Sequence, residues 1–162
     1  MISGCSDTSV QQYADLEPKM SLKDFFSGEL RGWGIVQDRK GRVINRFDLD
    51  MVGRWEGDKG VLDEEFVYYS GEKQSRSWRL KVLSDGTYQG EADDIIGEAK
   101  IAESGNALHR KSELVVPVKG SEYRFKFDDW MWKMNDDLVI NRAVMRKFGV
   151  RVAELTVVMQ KK

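Results

Sequence analysis

Between residues 43 and 55, apolar and charged side chains alternate with a period of two. Val43, Phe47, Leu49, Met51, Gly53 and Trp55 fall on one face; Arg42, Arg46, Asp48, Asp50, Arg54 and Glu56 fall on the other. A helix would mix these sets. A strand projects successive side chains to opposite sides, so the segment reads as one long strand with a single dry face.

Turn signals divide the rest of the chain. They are Arg39-Lys40-Gly41, Gly57-Asp58-Lys59-Gly60, Ser70-Gly71-Glu72, Ser84-Asp85-Gly86, Ser104-Gly105-Asn106, Lys119-Gly120-Ser121, Asn135-Asp136-Asp137 and Phe148-Gly149. Connections this short join antiparallel neighbours, which predicts a meander of about nine or ten strands from residue 29 to residue 161. An open sheet of that length would expose two edges, and closure removes them. The expected fold is therefore all-β: an antiparallel up-and-down barrel of about 8–10 strands, wide enough for one small ligand. Two packed sheets are the alternative. Ahead of the strands, Ser21-Leu22-Lys23-Asp24-Phe25-Phe26 has a capping-box-like Ser-x-x-Asp, which predicts a short helical turn ended by Gly28, with Phe25 or Phe26 packed under the domain.

Composition narrows the function. The 26 Lys+Arg against 27 Asp+Glu leave a formal charge of −1 with the signs interspersed, not the basic stripe of a nucleic-acid binder. There is one cysteine, Cys5, and one histidine, His109. No internal disulfide is possible, and a zinc site, which draws on Cys and His, is not expected. No motif calls for a cofactor. No G-x-S-x-G elbow or comparable motif presents a nucleophile, so no catalytic residue is assigned. His109 reads as a surface or rim histidine.

The first residues, Ile2-Ser3-Gly4-Cys5-Ser6, fit a lipobox, in which the cysteine is lipidated and becomes the mature N-terminus. This reading makes Cys5 the lipidation site. It makes residues 1–17 a polar tether after a trimmed signal and residues 18–162 one barrel domain. The expected location is the cell envelope, on the periplasmic side of the outer membrane.

Residues that could meet a ligand come from the strands. Arg142, on a face with Leu138, Ile140 and Val144, would hold a ligand head group or pair with Asp128, Asp129 or Glu154. Arg76 beside Trp78 poses the same choice. Trp55, Trp78, Tyr88 and Trp130, with Trp33, Tyr68, Phe127 and Trp132, would line or cap the interior, Trp33 as a plug between Gly32 and Gly34. The adjacent carboxylates Asp93-Asp94 and Asp128-Asp129 are the first candidates for acid–base work, but strand neighbours point to opposite faces, so neither pair is a ready-made dyad; Asp129 beside Trp130 would be a half-buried carboxylate. The aromatics of 123–132 switch from odd to even positions, which predicts a bulge near Asp128-Asp129. Pro117 marks a strand end. The closing strand, Val150 to Met159, is apolar on both faces, one for the interior and one for the N-terminal turn.

The chain also resembles a known family. The residues that carry the likeness are Asp24-Phe25-Phe26 with Gly28, Trp33-Gly34, Gly53 with Trp55, Arg76 with Trp78, Asp85-Gly86-Thr87-Tyr88, Asp128-Asp129-Trp130-Met131, Asn141-Arg142-Ala143 and Lys147-Phe148-Gly149-Val150. The family is the uncharacterised bacterial lipoproteins grouped as domain of unknown function 3833. The resemblance implies an envelope lipoprotein of Gram-negative bacteria with no known reaction, and the family's association with fatty-acid modification genes points toward lipid handling. The architecture is similar to lipocalins and other calycins, without their motif. Together these predict an apolar ligand, such as a fatty acid or phospholipid, held in the barrel; a solidly packed domain that binds another protein, or an enzyme on lipid-like substrates acting through Asp129 or His109, are the alternatives.

Overall fold

A computed structural model describes residues 9–162; the lipobox and Cys5 lie outside the described residues. A 3-10 turn, Val10–Tyr13, leads to a short helix α1, Leu22–Phe25, and then to ten strands. The strands are β1 Gly28–Asp38, β2 Val43–Glu56, β3 Lys59–Tyr68, β4 Lys73–Val82, β5 Tyr88–Glu91, β6 Ala99–Ser104, β7 Ala107–Val118, β8 Ser121–Lys133, β9 Leu138–Lys147 and β10 Val150–Lys161. Each pairs antiparallel with the next, and β10 pairs with β1. The result is a closed barrel with no free edge.

Strand periodicity sets which side chains face inward. On β2 the predicted dry face is buried at Phe47, Leu49, Met51 and Gly53. Val43, counted on that face, is half exposed because it stands at the barrel rim, above the core. Gly34 and Gly53 are glycines because neighbours occupy the space of a side chain. A Cβ on Gly34 would lie 2.1 Å from Phe47 Cζ, and one on Gly53 only 1.6 Å from the Phe26 carbonyl oxygen.

The two ends of the barrel differ. At one end lie the turns near residues 57, 85, 105 and 135, closed over by α1. Ser21 caps that helix as predicted, its hydroxyl accepting from the Asp24 amide. Both Phe25 and Phe26 are buried, their rings edge-to-face at 5.1 Å. Polar contacts seat the plug: the Leu22 amide donates to Glu103 Oε2 at 2.8 Å, Lys23 Nζ to the Gly57 carbonyl at 2.6 Å and Lys161 Nζ to the Asp24 carbonyl at 2.8 Å. The opposite end, with the turns near 40, 70, 120 and 149, has no such cover among the described residues.

Three local expectations are corrected. No bulge interrupts β8, which keeps continuous register with β7 and β9 through Asp128 and Asp129. The aromatic switch has another cause: Phe125 and Met131 face inward, while Trp130 and Trp132 face outward and pack under Tyr13, at ring distances of 5.7 and 6.5 Å. An apolar patch on the outer wall therefore looks, in sequence, like a shift of phase. Trp33 is no plug; it stands outside, 43% exposed, with the Arg31 guanidinium over its ring. The helical turn expected on the outer face of β10 instead closes the barrel end as α1, touching β10 through Lys161 at its end, while the 3-10 turn Val10–Tyr13 packs on β6, β7 and the two β8 indoles.

Candidate functional site

Above the α1 plug the barrel is hollow. The cavity has a volume of about 510 Å³. Its floor is apolar, with Leu22, Phe26, Leu49, Leu62, Leu80 and Met159, and its mouth is bordered by Val36, Tyr68, Val116 and Met145. One wall is charged.

Strand pairing builds that wall. Glu64 on β3 lies directly across from Arg76 on β4, and Arg110 on β7 across from Asp129 on β8, so two opposite-charge cross-strand pairs face the lumen. Between them stands Trp78, 2% exposed, with the Arg110 guanidinium 4.6 Å and the Arg76 guanidinium 5.9 Å from its ring. Such cation–π placement is most favourable where water is excluded. The indole Nε1 donates to Glu64 Oε2 at 3.3 Å.

Each charge has a partner. Arg76 donates from Nε to both oxygens of Asp94 at 3.0 Å and from Nη2 to Oδ2 at 2.6 Å, and reaches Glu64 through Nη1 at 3.4 Å. Asp94 is delivered by the loop between β5 and β6, which leans on β7: the Val115 amide donates to the Asp94 carbonyl, the Ile96 amide to the Glu113 carbonyl, and Ile95 forms a bridge with Leu114. Asp129, 1% exposed, accepts from Arg110 Nη2 and Asn141 Nδ2, and Asn141 also donates to the Trp130 carbonyl at 2.8 Å. Arg110 Nε is buried without a hydrogen-bond partner.

Burial pushes the Glu64 carboxyl above its ordinary range, against the pull of the Arg76 and Arg110 charges. Desolvation likewise raises the Tyr68 phenol. Burial alone would lower Arg76, but the bonds to Asp94 and the charge of Glu64 outweigh it and hold its pKa above the usual value.

Of the predicted ligand residues, Arg76, Trp78 and Asp129 meet on this wall. Trp55 and Tyr88 also face inward but belong to the closed end. Their rings meet edge-on at 6.1 Å, Trp55 Nε1 donates to the Phe26 carbonyl, and the Tyr88 hydroxyl donates to Glu103 at 3.4 Å. Desolvation, aided by Glu103, pushes the Tyr88 phenol up to about 12. Arg142 does not reach the cavity. It lies on the outer wall, about half exposed, in a two-pronged pair with Glu154 at 2.8 and 3.0 Å, so of the two roles considered for it the pairing with Glu154 is the one formed. Trp130 is outside too, stacked on His109 at 4.1 Å, and His109 Nε2 lies 2.6 Å from Asp128 Oδ1.

Glu64 and Arg110 were not singled out from the sequence, Asn141 only as the neighbour of Arg142, and Asp94 only as one of the adjacent carboxylates Asp93-Asp94, with no partner assigned. For three of them parity was the available signal. Glu64 shares its face with Leu62 and Phe66, Arg110 with Leu108 and Leu114, and Asn141 with Val139 and Ala143, all of which are buried. Among the described residues no group of three His, Cys, Asp or Glu side chains could hold a metal ion.

A closed antiparallel barrel, plugged at one end and hollow toward the other, defines a lipocalin-like protein. The chain belongs to the family described as protein of unknown function (DUF3833), whose model matches residues 1–161. No curated protein matches it. Two of the solved structures that match show the shared fold. One is a protein of unknown function of the DUF3598 family from Nostoc punctiforme, with a TM-score of 0.63 and 16% identity over 90% of this chain and 51% of that one. The other is the S-type phycobiliprotein lyase CPES from Guillardia theta, with a TM-score of 0.60 and 12% identity over 88% of this chain and 94% of that one. The present chain thus spans about half the length of the first and nearly all of the second.

Proposed function

We propose that the protein binds and carries a mainly apolar, lipid-like ligand, with the tail on the cavity floor and the polar end against the Arg76–Trp78–Arg110 wall. The observation that carries this reading is the cavity itself: about 510 Å³, apolar below, charged on one side and reached from one end. Its volume lies in the ordinary range for small-molecule sites. A fatty acid or phospholipid fits this description. Its anionic group would take the place of Glu64 on Arg76 Nη1, the longest contact in the cluster at 3.4 Å. Burial disfavours the charged form of Glu64, which lowers the cost of that exchange.

In the precursor, acylation of Cys5 would tether the barrel to the envelope, with the outer membrane the expected site. The test is native mass spectrometry of the full-length protein from a Gram-negative host, compared with its denatured mass. A noncovalent adduct of lipid-like mass that disappears on denaturation supports carriage. A bare native mass that takes up no added fatty acid or phosphatidylglycerol overturns it. Retention of the bare protein by another envelope protein would then favour the protein-binding alternative.

A further inference from the structure

We propose that the open rim of the barrel docks on an anionic lipid surface, so that the cavity mouth faces the bilayer. The inference stands on the outside of the rim and does not depend on what the cavity holds.

Most of the exposed large apolar side chains of the described residues stand toward this end. Val43 and Ile44 flank the first rim hairpin at 50% and 61% exposure, Tyr69 the second, Val118 the third, and Phe148 and Val150 the fourth. Phe148 is decisive: it is 93% exposed at the tip of a two-residue turn, with a φ of +50°. The left-handed region disfavours bulky side chains, and a turn of this kind normally takes Asn or Gly. An aromatic ring held there, in full contact with water, gains nothing for the fold. It is positioned to enter another phase.

Charge says which phase. Lys119 tips the neighbouring hairpin with the same turn geometry, φ +49°, followed by Gly120. Arg39, Lys40 and Lys73 lie on the other two rim hairpins, and Lys147 flanks Phe148. Against these, the four rim hairpins carry Asp38, Glu72 and Glu122, and Asp38 is held by Arg42 at 2.7 Å; Asp93 and Glu98 stand on the loop between β5 and β6, which bridges to Leu114 and so lies below the tip of the β7–β8 hairpin. The turns of the opposite end carry Glu56, Asp58, Asp85, Asp136 and Asp137 against Lys59 and Lys133. A chain of net charge −1 therefore has an excess of cations on its four rim hairpins and an excess of acids on the turns of the other end. Within the Debye length of about 8–10 Å, a negative surface sees only the end nearest to it. Apolar tips interleaved with cations match a bilayer with anionic headgroups.

The test is flotation of the full-length chain, carrying Cys5→Ser so that no acyl anchor contributes, with vesicles of phosphatidylcholine alone or with 30% phosphatidylglycerol. The expected result is binding to the mixed vesicles, weak binding to phosphatidylcholine, and release at high salt. Phe148→Ser is expected to weaken binding by about tenfold and Lys119→Glu by about fivefold or more. Met134→Ser, which removes a half-exposed apolar side chain near the plugged end, should leave binding unchanged. All three variants lie on the surface, and an unchanged urea midpoint confirms their folding. No binding to mixed vesicles, or an equal loss with Met134→Ser, overturns the proposal.

Discussion

The plugged end and the hollow end of this barrel are built from the same alternating strands but filled by different rules. At the plugged end, polar atoms serve the plug: Glu103 accepts from an α1 amide, Trp55 donates to the Phe26 carbonyl, and Gly53 is bare so that the helix can close down. At the hollow end, polar atoms line a space: Arg76 pairs with Asp94 and Glu64, and Arg110 with Asp129, beside a cavity. Close packing at one end contributes stability, and a buried charge network at the other contributes a shaped surface at some cost in stability. If that division holds, substitutions at the two ends will separate stability from binding.

The largest effect belongs to the plug. Phe26→Ala removes a ring that is 3% exposed and underlies both the cavity floor and Trp55. Truncations of this kind cost about 3–5 kcal/mol. Urea unfolding is expected to show that loss, while the equally aromatic Phe148→Ala at the open rim changes stability by no more than about 0.5 kcal/mol. Equal losses would end the distinction between the two ends.

The charged wall comes next. Asp129→Ala leaves Arg110 buried without its carboxylate and Asn141 without an acceptor. Removing one partner of a buried pair costs about 3 kcal/mol or more. Because Asp129 is on the lumen wall, the same variant is expected to lose affinity for an added fatty acid by several-fold, measured on the folded fraction. A stability loss with unchanged affinity would make the wall purely structural.

Glu64 separates the two ends through pH. Its pKa is raised in the folded state from an ordinary value of 4.5, so the folded protein holds this proton to higher pH than the unfolded chain does. Stability from this group is therefore greatest below pH 4.5 and falls as pH rises through the window above it. Glu64→Gln should flatten that fall and, by removing a competing charge from Arg76, tighten fatty-acid binding at neutral pH. Glu103 at the plug is raised by burial as well, with the same sign. Glu103→Gln should flatten the stability profile without touching affinity. Unfolding midpoints and ligand titrations from pH 4.5 to pH 8 check both.

How much of this was legible in the sequence follows from the same contrast. The barrel was readable because strand alternation is local: Phe47, Leu49 and Met51 declare their face within a stretch of five residues. The Ser21 cap was readable for the same reason. The site was only half readable. Arg76 and Trp78 stood out by type, but the partners of Arg76 lie across a strand pair and on a distant loop, and register is set by the whole barrel. Asp94 has no strand parity at all, since it stands in the loop between β5 and β6. Trp130 and Trp132 misled because an outer wall covered by the N-terminal turn is as apolar as an inner one. Hydrophobicity marks burial and does not say on which side.

Arg142 gives the smallest effect and the sharpest check on inside against outside. It was a candidate head-group residue because it shares a face with the apolar Leu138, Ile140 and Val144. Yet Asn141, not Arg142, shares the inward phase of Val139 and Ala143. Its guanidinium is about half exposed on the outer wall, and Glu154, which it holds below the ordinary carboxylate range through a hydrogen bond, is its partner there. Solvent-exposed pairs contribute about 0–1 kcal/mol. Arg142→Ala is therefore expected to lower the unfolding free energy by less than about 1 kcal/mol, with part of the effect screened by salt, and to leave fatty-acid affinity unchanged. Arg76→Ala, by contrast, should weaken binding in the same titration. If Arg142→Ala weakened binding as Arg76→Ala does, the ligand would have to be reached from the outer wall, and the cavity would lose its place as the binding site.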